Sequence, residues 1–203
     1  MYKSLLYLLL LSTSIISTQA WSDDKPSNLT VDQVIAYLGL EGHVEGGFYR
    51  RTYEASNTAK VATESGERFS MTSIFYLLSA ESPIGHFHLN KSDIVHYFQL
   101  GDPIKYYLID PEGKLKTVVM GKNLAAGELL QLTVPGGTWK ASKIIEGGKQ
   151  GYSLISEAVS PGFDFADMTL GYQALLLKMF PQHKEIILQL SPSVSPESPV
   201  SKK

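Results

Sequence analysis

Two histidines separated by one residue are the first feature of the sequence that could carry chemistry. They are His86 and His88, in a Gly-His-Phe-His run at residues 85–88. Alternate side chains of a β-strand point to the same face, so the spacing predicts that both imidazoles line one wall. Two such imidazoles can form the edge of a metal site or an acid–base pair. The pattern is also compatible with one hydrogen-bonded interior histidine and an incidental second one.

Other charged residues could complete such a wall. Arg50 shares a strand face with Phe48 and Thr52. If that face is interior, its cation needs an anionic partner, either on a ligand or on an internal acid such as Asp164. Glu45 precedes two glycines and could place a carboxylate at the rim of a barrel, although such glycines more often serve only a turn.

Further aromatic and histidine side chains leave alternatives open. Trp139 could stack on a sugar or a base, but a tryptophan that follows a turn is more often part of the core. His96 and Tyr97 would suit a proton-transfer pair, yet neighbours in a strand face opposite sides, so only one of them can line a pocket. We expect His43 and His183 to lie on the surface.

Composition narrows the classes of protein. The chain has 203 residues, a formal net charge of −2 and no cysteine. Without a basic patch, nothing indicates a nucleic-acid partner. Without cysteine, a disulfide framework, a thiolate nucleophile and a Cys-ligated metal are excluded. The sequence also lacks a nucleophile elbow, a phosphate-binding glycine loop and an HExxH motif.

The elements that must position these residues are mostly short strands. Turn signals rich in glycine and proline separate them, and no long helical pattern intervenes, which favours a sandwich or closed barrel. A capping box at Thr30 and Gln33 predicts a leading helix that ends at Gly39. Two short helices are predicted at 172–180 and 181–190. The strands are predicted at 48–53, 71–78, 84–88, 94–100, 104–109, 115–119, 128–134, 139–144 and 153–159.

The two ends of the chain differ from the middle. Residues 1–20 resemble a secretory signal, with Lys3, an apolar run at 5–11 and a Thr-Gln-Ala cleavage site. The run is too short to span a membrane, so we expect a secreted or periplasmic protein with no stable membrane insertion after cleavage. The Ser/Pro-rich tail at 191–203 is predicted to be disordered. A single domain is predicted at 29–190.

The middle of the chain resembles the two sequence blocks of the cupin superfamily. The first block reads HxH, three or four residues, Glu, six residues, Gly, and resembles residues 85–101. The second reads Gly, five residues, Pro-x-Gly, two residues, His, and resembles residues 127–140. Further runs resemble the fifth cupin family of sequence classifications, whose members are mostly uncharacterised; these runs lie at 43–53, 73–78, 101–103, 134–139 and 159–165. The resemblance implies an all-β, RmlC-like jelly-roll barrel with a short N-terminal helix and two short C-terminal helices, paired into a homodimer through an outer sheet.

The chain departs from the cupin pattern where metal ligands are expected. Ile94 stands at the position of the cupin glutamate, with Asp93 beside it, and Lys140 stands where a metal-binding cupin has its last histidine. A lysine ammonium has no lone pair to donate to a metal. We therefore expect no cofactor, and treat a divalent metal at His86 and His88 as the less favoured alternative.

These observations predict an exported cupin that holds a small anionic or sugar-like ligand in its barrel. One alternative is a metal-independent, RmlC-like epimerase or isomerase, in which His88 takes a proton α to a carbonyl and a tyrosine acts as the acid. A metal-dependent dioxygenase or hydrolase is the other. The predicted catalytic residue is His88. The predicted ligand-binding residues are Arg50, His86, His88, Asp93, Gln131 and Trp139.

Overall fold

The computed structural model describes residues 29–193, so the predicted signal and most of the predicted tail lie outside the described residues. Within that range no helix is long and apolar enough to cross a membrane. The helices are α1 (Val31–Leu38), α2 (Gln173–Met179) and α3 (Lys184–Leu190). The strands are β1 (Glu41–Gly42), β2 (Phe48–Glu54), β3 (Val61–Thr63), β4 (Gly66–Arg68), β5 (Thr72–Ser79), β6 (Ile84–Asn90), β7 (Asp93–Gly101), β8 (Ile104–Ile109), β9 (Leu115–Met120), β10 (Gln131–Val134), β11 (Trp139–Ile144), β12 (Tyr152–Ser160) and β13 (Met168–Leu170).

Two antiparallel sheets form the barrel. One has the strand order β1-β2-β5-β12-β7-β10 and the other β13-β6-β11-β8-β9. Their facing sides bury an apolar core that includes Tyr76, Leu78, Ile104, Tyr106 and Ile155. Burial of these side chains on alternating strand positions is the main favourable contribution to folding. The predicted jelly-roll barrel with one leading and two trailing short helices is confirmed.

Helix α1 packs on the outside of the six-stranded sheet. The predicted capping box is present: Gln33 N donates to Thr30 Oγ1 at 3.3 Å and Thr30 N donates to Gln33 Oε1 at 2.9 Å. Gly39 ends the helix with a left-handed φ of 60°. Val34 then packs against Leu77, and this cluster closes the outer face at one end of the sheet.

Helices α2 and α3 pack on the outside of the five-stranded sheet. Leu176, Ile187 and Leu190 are completely buried there against Phe87, and Trp139 belongs to the same cluster. This outer cluster attaches the two short helices to the barrel, and the domain range 29–190 stays a prediction.

The strands that the sequence did not indicate are the shortest. Strands β1, β3, β4 and β13 have two or three residues each, too few to show an alternating pattern. Strand β10 begins at Gln131, three residues later than predicted. The strands predicted at 104–109 and 139–144 are confirmed residue for residue.

Candidate functional site

A cavity lined by both ionisable and apolar side chains opens between the two sheets at one end of the barrel. It has about 420 Å³ of empty volume, part of it open to solvent, and only about 30 Å³ can hold the centre of a water molecule. The cavity is therefore narrow and suits a small ligand. Its wall is formed by His43, Glu45, Tyr49, Arg51, Ile74, Tyr76, His88, Asn90, Ile94, Glu157, Val159 and Phe163.

A tight turn before β2 places Glu45 inside the barrel. Gly46 has a φ of 93°, and a Cβ at this position would collide with the Ile84 carbonyl oxygen, so only glycine fits. Tyr76 OH donates to Gly46 O at 2.9 Å, and His86 N donates to Glu45 O at 2.6 Å. These bonds fix the turn, and Glu45 is 7% exposed as a result.

His88 lies on the cavity wall, but His86 does not. Strand β11 pairs with β6, and Lys140 lies opposite His88. Ser142, two residues after Lys140, lies opposite Gly85, which is three residues before His88. This β-bulge inserts one extra residue into β6 and breaks the alternation. His86 therefore points outward, with its Nδ1 3.3 Å from Leu190 O of α3. The prediction that the two histidines share one wall is wrong for this reason.

The carboxyl of Glu45 faces lone pairs of two histidines. His88 Nδ1 lies 2.8 Å from His86 O, and because a carbonyl oxygen only accepts, Nδ1 carries the proton and Nε2 a lone pair. That Nε2 is 3.2 Å from Glu45 Oε2, without the angle of a hydrogen bond. His43 Nδ1 accepts from Glu45 N at 3.3 Å and lies 3.6 Å from the same Oε2. A proton on Glu45 would remove the repulsion between these acceptors.

The pKa values agree with that arrangement. Burial raises the pKa of Glu45 to about 8, against the opposing effect of the Lys140 charge. Burial lowers the pKa of His43 to about 4. Burial, and after it the Lys140 charge, lowers the pKa of His88 well below its usual value. At neutral pH the three side chains are therefore mostly uncharged.

A paired set of charges lies deeper, beneath this neutral group. Lys140 Nζ is 3.4 Å from Glu157 Oε1 and 3.4 Å from His96 Nε2, and His96 Nδ1 is 3.2 Å from Glu157 Oε1. Burial raises the pKa of Glu157, but Lys140 and then His96 outweigh it, so the pKa is below its usual range. Burial and Lys140 lower the pKa of His96. Lys140 and Glu157 thus form a buried ion pair oriented by a neutral histidine.

Arg50 does not reach the cavity. Its side chain is exposed and lies near Gly39 at the end of α1. The predicted parity of β2 is inverted, because Phe48 packs under α1 while Tyr49 and Arg51 face the cavity. The internal partner suggested for Arg50 is also absent from its surroundings: the carboxylate of Asp164 instead accepts from a backbone N–H in its own loop.

Three further predicted binding residues lie elsewhere. Asp93 is exposed, and its carboxylate accepts from Gly136 N at 2.8 Å. Gln131 is exposed on the outer face of β10, since Leu132 takes the interior position. Trp139 is 5% exposed and belongs to the core beneath α2 and α3, which corrects its assignment as a ligand-binding residue.

Several cavity residues were missed or misplaced by sequence reasoning. The side chain of His43, expected on the surface, is 6% exposed, and its ring lies 4.4 Å from that of Tyr49. Glu157 was not considered, although its alternation with Ile155 and Val159, both buried, is the signal that could have found it. Asn90 was also missed, although its position two residues after His88 on β6 places both side chains on one face.

The donor set does not suit the metal that a cupin fold implies. His86 points away from the cavity, and the ammonium of Lys140 stands beside Glu157 and His96, where it competes as a cation for their lone pairs. Among residues 29–193, no group of three or more His, Cys, Asp or Glu side chains is arranged to hold a metal ion. A first-row metal would therefore lack its usual ligands. The expectation of no cofactor stays a prediction.

The two-sheet barrel, with a histidine- and carboxyl-lined cavity between its sheets, is that of a protein of the cupin class. The chain belongs to the family described as Cupin superfamily (DUF985), whose profile matches residues 32–171. It is 40% identical over 157 residues to the uncharacterized protein YML079W of Saccharomyces cerevisiae, covering 72% of this chain and 76% of that protein.

Two solved structures of similar proteins share the fold. A hypothetical protein from Leishmania major is 36% identical with a TM-score of 0.75, over 81% of this chain and 100% of that chain. Protein SO0799 from Shewanella oneidensis is 41% identical with a TM-score of 0.73, over 81% of this chain and 99% of that one. The predicted cupin membership is confirmed.

Proposed function

We propose that the cavity binds a small polar ligand and moves a proton on it without a metal, as an isomerase or epimerase does. The observation that supports this most strongly is the 3.2 Å contact between Glu45 Oε2 and His88 Nε2 on the cavity wall. One partner is a carboxyl group whose pKa is raised to about 8, and the other is a neutral imidazole with a free lone pair. Acid and base are thus both in their active forms near neutral pH.

The pair can catalyse enolisation of a ligand that carries a carbonyl group. His88 Nε2 takes the proton from the carbon next to the carbonyl, and the C–H electron pair forms the C=C bond of the enol. The Glu45 carboxyl gives its proton to the carbonyl oxygen. His88 is then a cation beside the Glu45 anion, and this attraction stabilises the intermediate. Return of the proton from His88 to the opposite face of the same carbon, while Glu45 takes back the enol proton, completes epimerisation. Where the enol is an enediol, the proton from His88 goes instead to the former carbonyl carbon, Glu45 takes the proton of the other hydroxyl, and a new C=O bond completes isomerisation.

Glu45 replaces the tyrosine that was expected to act as the acid. Tyr76 lines the same cavity, but its hydroxyl already donates to Gly46 O, and burial raises its pKa well above 10. A group with a pKa near 8 gives up its proton much more readily at neutral pH. The proposed catalytic residues are therefore Glu45 and His88.

Binding without turnover is the second candidate function. Asn90 Oδ1 is buried in the cavity wall and has no hydrogen-bond partner in the described part of the chain. An unpaired buried acceptor costs about 1–3 kcal/mol, which a ligand hydroxyl or amide would recover. This supports a bound ligand whether or not a proton moves.

Hydrogen exchange in D₂O tests the proposed function. The protein is incubated with a panel of neutral sugars, sugar phosphates, and short hydroxy and oxo carboxylates, and loss of C–H signals next to the carbonyl is followed by proton NMR. We expect exchange with at least one compound and a loss of at least about 100-fold in His88→Gln and Glu45→Gln.

The matched control is His183→Gln, which alters a histidine that contacts Gly113 O away from the cavity. It should exchange like the unchanged protein. A panel in which no compound exchanges, or cavity variants as active as the control, would contradict the proposal.

Export belongs to the same proposal. It is supported by the signal-like residues 1–20. The absence of cysteine is also compatible with an oxidising compartment, because the chain has no thiol to be oxidised there. We expect the mature chain to begin near Trp21 and to be recovered outside the cytoplasm. Sequencing of its N-terminus checks this, and Met1 retained on cytosolic protein would contradict it.

A further inference from the structure

The cavity has a cation at its mouth, which is Arg51 on β2. Its side chain is 31% exposed, its Nη1 donates to Glu54 Oε1 at 2.8 Å and its Nη2 donates to Phe163 O at 3.4 Å. A guanidinium has five N–H groups, so three remain for a ligand among the contacts of the described residues. Such N–H groups bind a carboxylate or phosphate in the plane of the guanidinium.

The charge of Glu54 decides between these two anions. Its carboxylate lies 2.8 Å from the Arg51 guanidinium and offsets part of the positive charge. Deeper in the barrel, Lys140 is already paired with Glu157 and adds no free cation. A monoanionic carboxylate therefore fits the mouth better than a phosphate dianion.

The interior offers acceptors that need hydrogen-bond donors. His88 Nε2 and Asn90 Oδ1 line the cavity, their residues are 4% and 6% exposed, and neither atom has a hydrogen-bond partner within residues 29–193. Leaving such groups unpaired is costly, so a ligand with hydroxyl groups is favoured over one without. Only about 30 Å³ of the cavity can hold the centre of a water molecule, so it admits only a short carbon chain.

We infer that the ligand is a short-chain hydroxycarboxylate, with its carboxylate at Arg51 and its hydroxyl groups directed to His88 and Asn90. This inference rests on the proposed function only where it identifies the carbon that reacts. Binding of the carboxylate and of the hydroxyl groups does not depend on turnover. A carbonyl next to the hydroxyl-bearing carbon makes such an acid a substrate for the Glu45–His88 pair. The same molecule without a carbonyl would bind and not react.

Three related compounds test the inference by NMR titration of the full mature chain. Glycerate has both groups, glycerol replaces the carboxylate with a hydroxymethyl group, and propionate lacks both hydroxyls. We expect glycerate to bind at least tenfold more tightly than either of the others. Glycerol 3-phosphate is added as a fourth compound, and tighter binding of it than of glycerate would overturn the choice of a carboxylate.

Neighbouring arginines provide the matched variants. Arg51→Gln should weaken glycerate binding at least tenfold and leave glycerol binding unchanged, whereas Arg50→Gln, on the outer face of the same strand, should change neither. Equal losses in the two variants, or glycerol binding as tightly as glycerate, would overturn the inference.

The outcomes separate this inference from the proposed function. Hydrogen exchange on a neutral sugar without glycerate binding would overturn the hydroxycarboxylate and leave proton transfer standing. Glycerate binding that depends on Arg51, without exchange on any oxo acid of the panel, would support the ligand class and contradict the proposed catalysis.

Discussion

Glu45 and His88 approach each other to 3.2 Å in a part of the barrel where neither side chain is more than 9% exposed. The tautomer of His88, set by its bond to a backbone carbonyl, leaves an unprotonated Nε2 beside the carboxyl. The two groups therefore hold one mobile proton, which is on Glu45 when the pair is neutral. Transfer of this proton to His88 Nε2 converts the neutral pair into an ion pair. Desolvation makes that conversion unfavourable in the free protein, and a ligand that develops charge can offset the cost.

Stability should fall between pH 6.5 and pH 8 because of Glu45. Its pKa is about 8 in the folded protein and near 4.5 when unfolded, so in this window the folded state holds one proton more than the unfolded state. The free energy of unfolding then decreases by up to about 1.4 kcal/mol for each pH unit, and by about half of that at pH 8, where half of the folded molecules have lost the proton. In Glu45→Gln this decrease should disappear, as urea denaturation at a series of pH values would show.

The histidines act in the opposite direction and at lower pH. His43, His88 and His96 all have lowered pKa values, so the stability that they contribute is lost as the pH falls below 6.5. This acid limb should persist in Glu45→Gln and serves as the internal control. An unchanged slope above pH 6.5 in that variant would contradict the raised pKa of Glu45.

The bulge in β6 predicts different outcomes for its two histidines. His88→Ala should reduce hydrogen exchange at least about 100-fold and glycerate binding at least about tenfold while the protein remains folded, because it removes the proposed base and a hydrogen-bond acceptor of the cavity. His86→Ala should leave both unchanged and cost about 1 kcal/mol of stability, since it loses only the bond to Leu190 O. Binding assays and melting curves on both variants check this, and a reversed pattern would contradict the assignment.

Much of the fold could be predicted from the sequence because strand alternation and turn residues are local signals. The capping box of α1 and the strand at 104–109 are examples, and each depends only on neighbouring residues. The placement of His88 in the barrel followed from the same kind of pattern. Its partner Glu45 was considered only as a rim carboxylate, because the turn that buries it depends on contacts with β5 and β6.

The rest of the site could not be predicted because it depends on strand register. A single inserted residue in β6 turns His86 to the opposite face, and its only local mark is Gly85 in the strand, which does not by itself give the position of the bulge. Arg50 and Arg51 are adjacent arginines, so only the alternation of side chains along β2 decides which of them faces the cavity and can contact a ligand. Because Phe48 is apolar, the face of β2 that it shares with Arg50 was considered as the interior face. Phe48 instead packs against α1, which forms a second apolar surface outside the sheet.

Added divalent metals should not stabilise the protein. A bound metal stabilises a folded state by RT ln(1 + [metal]/Kd), about 2.7 kcal/mol at a hundred times Kd. Because Lys140 lies among the would-be ligands, we expect Mn²⁺, Ni²⁺ or Zn²⁺ to leave the melting temperature unchanged. Elemental analysis of protein purified without chelator provides a second measurement. Near-stoichiometric metal in that sample would contradict the proposed metal-free site.

The outer face of the six-stranded sheet is the predicted homodimer interface. Strand β10 is an edge strand, and Tyr97 and Leu100 on the neighbouring β7 are 38% and 48% exposed. Unpaired edges and exposed apolar side chains favour association. We expect light scattering to give a dimer mass that Tyr97→Glu reduces to a monomer, whereas Tyr37→Glu on α1 should have no effect. A monomer at micromolar concentration in the unchanged protein would contradict the prediction.

Removing only the charge of Lys140 should cost more stability than removing the charges of both Lys140 and Glu157. Lys140→Met leaves the Glu157 carboxylate buried without its cation and His96 Nε2 without its donor, which should cost about 3–5 kcal/mol of stability. Changing Glu157 to Gln in addition removes the uncompensated charge and should restore most of that loss. Urea denaturation of the single and double variants measures both effects.

The pH slope assigned to Glu45 gives an independent readout of the Lys140 charge, because loss of this charge should move the slope to higher pH. A single variant as stable as the double would mean that the pair is hydrated, and would contradict the assignment of a desolvated ion pair in the barrel.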